Sequence, residues 1–127
     1  MSETARILMV DDDPQVIRFL KTALEGGGYS VMATTSGKQA LGSIRAAVPD
    51  LVILDLNMPS PDGFELLKAL RSEFPYLRIL AISGYLQGAL LEAAELLGAI
   101  ATLAKPIDPE VLLRKVREVI GGHRKEA

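Results

Sequence analysis

Five short apolar runs alternate with five amphipathic segments along this chain, and the alternation leaves few folds open. The runs lie at residues 6–10, 30–34, 51–54, 78–82 and 100–104. They are almost continuously apolar, which is typical of strands covered on both faces. Strands that alternate with helical segments of about 10 to 15 residues predict βαβ units. The sequence therefore predicts an α/β fold with a parallel sheet.

The segments between the runs show helical periodicity and residues that begin or end helices. The predicted helices cover residues 14–28, 36–48, 63–74, 86–97 and 108–120. Pro14 suits a first helical turn, and Ser36 with Gln39 has the spacing of a capping box. In the second helix, the residues predicted to share the inward face are Ala40, Leu41, Ile44 and Val48.

Size and composition narrow the class of protein further. The chain has 127 residues and a net charge of −2 with acids and bases interspersed, which suits one globular domain. Mixed charge predicts neither direct nucleic-acid binding nor attraction to an anionic membrane. The absence of cysteine excludes disulfides, and no apolar run reaches the roughly 20 residues of a membrane helix. We expect a cytoplasmic domain over residues 5–121 with a polar tail over 122–127.

Four of the five predicted strands lead into a charged or hydroxyl-bearing side chain. These are Asp11 and Asp12 after the first strand, Asp55 at the end of the third, Ser83 after the fourth, and Lys105 with Pro106 after the fifth. In open parallel sheets, ligands bind at the carboxyl ends of the strands. The sequence therefore predicts a functional site at this edge.

The acidic residues at this edge suit a cation. Two carboxylates about 4 Å apart repel by about 4 kcal/mol at an effective dielectric constant near 20. An all-oxygen set without His or Cys favours Mg²⁺, with Mn²⁺ as a substitute. The simpler explanation is helix capping by "DDDP". Capping accounts for Asp13, but it leaves Asp11 and Asp12 unexplained.

The other residues at this edge suit a phosphoryl group. Asp55 alone could bind a loop amide, Ser83 could open a helix and Lys105 could be a solvated lysine. Beside a metal, a carboxylate can form an acyl phosphate, while a hydroxyl and an ammonium bind the phosphoryl oxygens. Their joint occurrence favours the phosphoryl site. Pro106 follows the lysine, and the Lys105–Pro106 bond is a candidate cis peptide.

The stretches "ILMVDDDP", "PDLVILDLNMPSPDGFELL", "ILAISGY" and "LAKPID" resemble the receiver domain of two-component response regulators. The resemblance covers about residues 5 to 121. It implies a flavodoxin-like, doubly wound (βα)5 fold with a five-stranded parallel sheet in the order 2-1-3-4-5. It also implies a phosphorelay signalling domain that catalyses only its own phosphorylation and dephosphorylation. The implied partner is a sensor histidine kinase or a phosphotransfer protein, and a small acyl phosphate could replace it as the donor.

The resemblance also assigns roles to the acidic edge. Asp55 resembles the aspartate that accepts the phosphoryl group. Asp12, Asp55 and the backbone carbonyl of Asn57 would bind Mg²⁺, and Asp11 would act through water. We expect the Asn57 side chain to tune the lifetime of the phosphoryl group.

The remaining roles fall on the loops around the acceptor. Ser83 resembles the switch hydroxyl, and Lys105 resembles the lysine that binds the phosphoryl oxygens. Pro59 belongs to the loop, continuing through Asp62 and Gly63, that shapes the neighbourhood of the acceptor, and Pro106 shapes the loop after the lysine. Tyr85 lies two residues after Ser83, where we expect it to tune the access of water to the acyl phosphate.

Two features depart from a plain receiver. Thr102 stands where the family usually has an aromatic switch residue, three positions before the lysine. The helix over 86–97 holds more apolar residues than one buried stripe needs, namely Leu90, Leu91, Ala94, Leu96 and Leu97. The helix is either simply rich in apolar residues or a contact surface for a partner or for a second copy of the chain. A homodimer would use this helix with the fifth strand and the last helix.

Three other functions compete with the phosphoacceptor. One is a pseudo-receiver scaffold that is never phosphorylated, which Thr102 keeps open. A second is an aspartyl-phosphate phosphohydrolase, which would need a second acid two residues after the nucleophile, where this chain has Asn57. A third is a flavin binder of the same topology, which the acidic "DDDP" loop disfavours because a phosphate cradle is rich in Gly, Ser and Thr.

Overall fold

The computed structural model describes residues 4–58, 63–84 and 88–124, which form five parallel strands and five helices. The strands are β1 (Arg6–Val10), β2 (Ser30–Thr34), β3 (Leu51–Asp55), β4 (Ile79–Ser83) and β5 (Ala101–Ala104). The helices are α1 (Pro14–Gly26), α2 (Gly37–Ala46), α3 (Gly63–Glu73), α4 (Gly88–Leu96) and α5 (Pro109–Arg124). The sheet order is β2-β1-β3-β4-β5, which confirms the predicted doubly wound fold.

The period of the strands divides the core into two layers. Ile7 and Met9 pack on one face of the sheet with residues of α1 and α5. Leu8 and Val10 pack on the other face with residues of α2, α3 and α4. Successive side chains of a strand point to opposite faces, so one apolar run serves both layers. The continuous apolar runs thus place helices on both sides of the sheet.

The helices and neighbouring strands bury the sheet completely only at its centre. Every residue of β3 and β4 is buried, whereas β2 and β5 are partly exposed. β2 and β5 are the two edge strands, so each lacks one neighbouring strand to shield it. The residues that follow β1, β3 and β4 therefore start from a rigid frame.

The ends of the helices differ from their predicted positions. α2 ends at Ala46, so Val48 lies beyond the helix and is 50% exposed, and the prediction that it faces inward is wrong. α5 continues through Gly121 to Arg124, past the predicted end at residue 120. Glycine costs only about 1 kcal/mol in a helix, which does not by itself end one.

The predicted capping box of α2 forms only in part. The Ser36 hydroxyl accepts from the Gln39 amide at 3.2 Å, as predicted. The Ser36 amide, however, donates to the Thr34 hydroxyl at 3.1 Å instead of to the Gln39 side chain. Thr34 ends β2, so this bond joins the strand directly to the start of the helix.

The sequence predicted that the apolar residues of the helix over 86–97 cannot all face inward, and this is confirmed. Ala94 is fully buried and Leu91 and Leu97 pack at the edge of the core, whereas Leu96 is 89% exposed. Within the described residues, no helix is long and apolar enough to cross a membrane.

Gly63 determines how closely α3 approaches the end of β3. A β-carbon at this position would overlap the carbonyl oxygen of Asp55 and lie 2.6 Å from the α-carbon of Leu56. Because these neighbours are backbone atoms, they cannot move aside as a flexible side chain could. Only glycine allows the first turn of α3 to rest against the strand that carries Asp55.

We predict that Gly63→Ala lowers the free energy of unfolding by about 1–3 kcal/mol, the usual cost of overpacking. Gly42→Ala is the matched control, because Gly42 lies inside α2 with no neighbour within 4 Å of an added β-carbon. It should raise the free energy of unfolding by about 0.5–1 kcal/mol. Urea titration followed by circular dichroism measures both. Equal effects of the two substitutions would contradict the close approach of α3 to β3.

Candidate functional site

Neighbouring strands bring the predicted site residues together at one edge of the sheet. Val10 is in register with Leu54, so Asp11 and Asp55 lie side by side, one strand apart. Ser83 is the last residue of β4, and Lys105 directly follows β5. The strands β1, β3, β4 and β5 are consecutive in the sheet. The predicted convergence of these strand ends is confirmed.

Local turns orient the two buried carboxylates. Asp11 Oδ1 accepts from the Asp13 amide at 2.9 Å, and Asp55 Oδ1 accepts from the Asn57 amide at 2.9 Å. Both are side-chain turns in which an aspartate binds the amide two residues later. Asp13 in turn accepts from the amide of Gln15 and caps α1, as expected. Each turn uses one carboxylate oxygen and leaves the other for the site.

Lys105 occupies the space between the remaining oxygens. Its ammonium lies 3.2 Å from Asp55 Oδ2 and 3.3 Å from Asp11 Oδ2. The two carboxylates are almost wholly buried, while 27% of the lysine side chain is exposed. The Lys105–Pro106 peptide is cis, as the sequence suggested, and the Lys105 amide donates to the Ser83 carbonyl at 2.7 Å. Lys105 is therefore held by both its backbone and its side chain.

The charges at this site perturb one another. Burial raises the pKa of Asp11, and the negative charge of Asp55 raises it further. The hydrogen bond from the Asp13 amide and the positive charge of Lys105 lower the pKa of Asp11, but they do not cancel the increase. For Lys105, burial opposes the charged form, but the attraction of Asp11 and Asp55 outweighs it and raises the pKa of the ammonium. The lysine therefore stays charged, and its single ammonium lies between two buried carboxyl groups.

Asp12 adds a third carboxylate on the solvent side. Oxygens of Asp11, Asp12 and Asp55 lie within 4.8 Å of one another, and Asp12 is exposed whereas the other two are buried. Three carboxylates at this spacing could hold a metal ion, and the hard oxygen donors suit a divalent cation. The exposed Asp12 gives such an ion a path from solvent.

Asn57 and Ser83 form a second group beside the acidic one. The carboxamide oxygen of Asn57 accepts from the Ser83 hydroxyl at 3.0 Å and from the Gly84 amide at 2.8 Å. Ser83 is fully buried, and Asn57 is exposed. The sequence did not predict this pair. The signal available was a polar residue two positions after the Asp55 strand end and a serine at the end of the adjacent strand.

Three predicted site residues, Pro59, Asp62 and Tyr85, lie outside the described residues, so their roles stay predictions. Thr102, at the usual aromatic position, is partly buried, and its hydroxyl donates to Glu95 at 3.4 Å. This contact joins β5 to α4.

Fold and site together define a doubly wound α/β domain with an acidic, lysine-bridged site at its carboxyl edge. The family model of the response regulator receiver domain matches residues 7–117. The chain therefore belongs to the response regulator receiver family. Response regulators act in two-component signalling, so the role of this domain is in signal transduction.

Relatives and solved structures agree with this assignment. The chain is 37% identical to the transcriptional activator protein ExaE of Pseudomonas putida over 92% of this chain and 56% of ExaE. It is 34% identical to the alkaline phosphatase synthesis transcriptional regulatory protein PhoP of Bacillus subtilis over 91% of this chain and 48% of PhoP. A CheY-like receiver domain protein from Methanospirillum hungatei has a TM-score of 0.90 at 30% identity, covering 98% of this chain and 100% of that one.

The prediction of no direct nucleic-acid binding needs correction. ExaE and PhoP are named as transcriptional proteins, and a third relative, MtrA of Mycolicibacterium smegmatis, is named a DNA-binding response regulator. MtrA is 36% identical over 88% of this chain and 49% of MtrA. The prediction came from the charge of 127 residues, but the chain spans about half the length of these relatives. The charge of one domain does not report what a longer protein binds.

We predict that Lys105 and a divalent cation compete for the same carboxylates. Lys105→Met should lower the free energy of unfolding in EDTA by about 1–3 kcal/mol, less than a fully buried pair would lose because the lysine is partly exposed. Saturating MgCl₂ should then stabilise the variant more than the wild type, since the cation replaces the lost positive charge. Thermal unfolding as a function of MgCl₂ concentration measures both effects.

Asp11→Asn is the control for this competition. It keeps an acceptor for the Asp13 amide but removes a negative charge, so Mg²⁺ should stabilise it less than the wild type. Equal stabilisation of all three proteins by Mg²⁺ would show that the ion does not bind beside Lys105.

Proposed function

We propose that the carboxylate of Asp55 accepts a phosphoryl group from a histidine kinase, a phosphotransfer protein or a small acyl phosphate. The observation that carries the proposal is the ammonium of Lys105, 3.2 Å from a buried carboxylate oxygen of Asp55. A phosphoryl group attached to that oxygen would lie beside the positive charge of the Lys105 ammonium. Electrostatic stabilisation of this kind is the main protein contribution to phosphoryl transfer.

The nucleophile is already oriented. The Asn57 amide binds Oδ1 of Asp55, and Lys105 binds Oδ2, so the carboxyl plane is held by two partners. In the reaction, a carboxylate oxygen forms a bond to phosphorus while the bond between phosphorus and the donor breaks. When acetyl phosphate is the donor, acetate is the leaving group and keeps the electron pair of the broken bond. When a protonated phosphohistidine is the donor, the leaving group is a neutral imidazole. Lys105 takes no part in forming or breaking either bond, and its ammonium only balances the negative charge of the phosphoryl oxygens.

The acidic residues support Mg²⁺ as the cofactor, with Mn²⁺ as a substitute. Asp12, Asp55 and the backbone carbonyl of Asn57 would bind the ion directly, and Asp11 would bind through water. The donor set fits, because it holds oxygen ligands alone and its three carboxylates exceed the single charge of Lys105. The ion would neutralise charge on the equatorial phosphoryl oxygens.

Phosphorylation would serve as a signal through a change in the surface around Ser83 and Lys105. The relatives named as transcriptional regulators support gene regulation as the output of such a signal. A phosphohydrolase is less well supported, because the carboxamide of Asn57 is bound to Ser83 and Gly84 where that mechanism needs a second acid. The scaffold hypothesis is tested by the same experiment as the acceptor.

We predict that acetyl phosphate with Mg²⁺ adds one phosphoryl group to the wild-type chain, as measured by intact-protein mass spectrometry. Asp55→Asn, which keeps the shape of the side chain but not its charge, should add none. Asp13→Asn is the matched control in the same group of acids. Asparagine caps a helix as well as aspartate does, so this variant should be phosphorylated like the wild type.

The same samples test the competing functions. EDTA should abolish the mass gain. A folded wild type that gains no mass in the presence of Mg²⁺ would favour the scaffold, and steady release of inorganic phosphate from p-nitrophenyl phosphate would favour the phosphohydrolase.

A further inference from the structure

The side chain of Asn57 joins the phosphoacceptor strand to the loop after β4. Its carboxamide accepts from Gly84 N at 2.8 Å and from Ser83 Oγ at 3.0 Å through the same oxygen. A backbone amide can only donate, so the carboxamide atom facing it must be the oxygen. The Ser83 hydroxyl must then donate to that oxygen as well, because the carboxamide oxygen carries no proton and the hydroxyl carries one.

Ser83 has little freedom apart from rotation of its hydroxyl. It ends a wholly buried strand and pairs with Ala104 in the sheet, and its backbone carbonyl accepts from the Lys105 amide at 2.7 Å. A serine hydroxyl has one proton and donates it to one acceptor at a time. If this proton goes to Asn57, it is not available to an oxygen on Asp55.

Asn57 also contacts the acceptor itself. Its backbone amide donates to Asp55 Oδ1 at 2.9 Å while its side chain holds Ser83 and Gly84. One residue thus connects the carboxylate to the hydroxyl and to the following loop. Because Asn57 is exposed, its carboxamide can turn to solvent when it loses these partners.

We propose that the Asn57 side chain is a positioning residue that latches Ser83 and Gly84 away from the acceptor until Asp55 is phosphorylated. This inference rests on the proposed phosphorylation of Asp55. A phosphoryl oxygen is a charged acceptor and attracts the Ser83 proton more strongly than a neutral carboxamide does. When Ser83 turns to it, Asn57 loses one of its two donors, and Gly84 is then held by the single remaining hydrogen bond to the carboxamide.

The latch predicts that two rates increase together in Asn57→Ala. Hydrogen exchange of the Gly84 amide, followed by NMR without a phosphodonor, should become about fivefold faster, as the loss of one hydrogen bond implies. Phosphorylation by acetyl phosphate should also become about fivefold faster, because the Ser83 hydroxyl no longer has to leave a partner. A residue that only supported the structure would slow phosphorylation when removed.

Two further variants separate the latch from a general loosening of the site. In the Ser83→Ala background, Asn57→Ala should not change the phosphorylation rate, since no hydroxyl remains to be released. Asn57→Asp keeps an acceptor oxygen and should restore slow exchange at Gly84. The substitutions leave the backbone carbonyl in place, so Mg²⁺ should stabilise Asn57→Ala as much as the wild type.

The outcomes distinguish this latch from the function on which it rests. If the wild type gains no phosphoryl group, the proposed function fails. If the wild type is phosphorylated but Asn57→Ala reacts at the same rate or more slowly, or has the same effect in the Ser83→Ala background, the latch alone is wrong.

Discussion

The ammonium of Lys105 between the carboxylates of Asp11 and Asp55 is the interaction on which the site depends. The two acids are buried on adjacent strands, and without a cation nearby their repulsion would oppose folding. Lys105 offsets part of that repulsion, and the excess negative charge leaves a place for a divalent ion. In the proposed reaction, the same ammonium would lie beside the charge of the phosphoryl group. Stability and the proposed reactivity at this edge would thus depend on one set of charges.

The fold keeps this edge rigid by burying everything beneath it. β3 and β4 are covered on both faces, and Gly63 lets α3 rest against the backbone of Asp55. At another boundary of the domain, the Arg71 guanidinium donates to the carbonyls of Leu77 and Gly98 and ties the end of α3 to the end of α4. If Asp55 is phosphorylated as proposed, movement is therefore expected at Ser83 and Gly84, which Asn57 holds, rather than in the sheet.

The sequence predicts the elements well because their signals are local. Alternating apolar runs identify the strands, and the strand-end positions of Asp55 and Lys105 follow from parallel topology. The order of the strands came from the family resemblance, since periodicity does not specify which strands pair. The Asn57–Ser83 contact was missed because it joins two segments that are 26 residues apart in sequence. The exposure of Val48 was missed because the helical pattern runs past the end of α2 at Ala46.

Chemical trapping of the acyl phosphate tests the central claim most directly. Borohydride reduces an aspartyl phosphate to homoserine, and peptide mass spectrometry then identifies the modified position after treatment with acetyl phosphate and Mg²⁺. We predict homoserine at position 55 alone, dependent on both reagents. Homoserine at position 11 or 12, or at none of the three, would contradict the assignment of Asp55 as the phosphoacceptor.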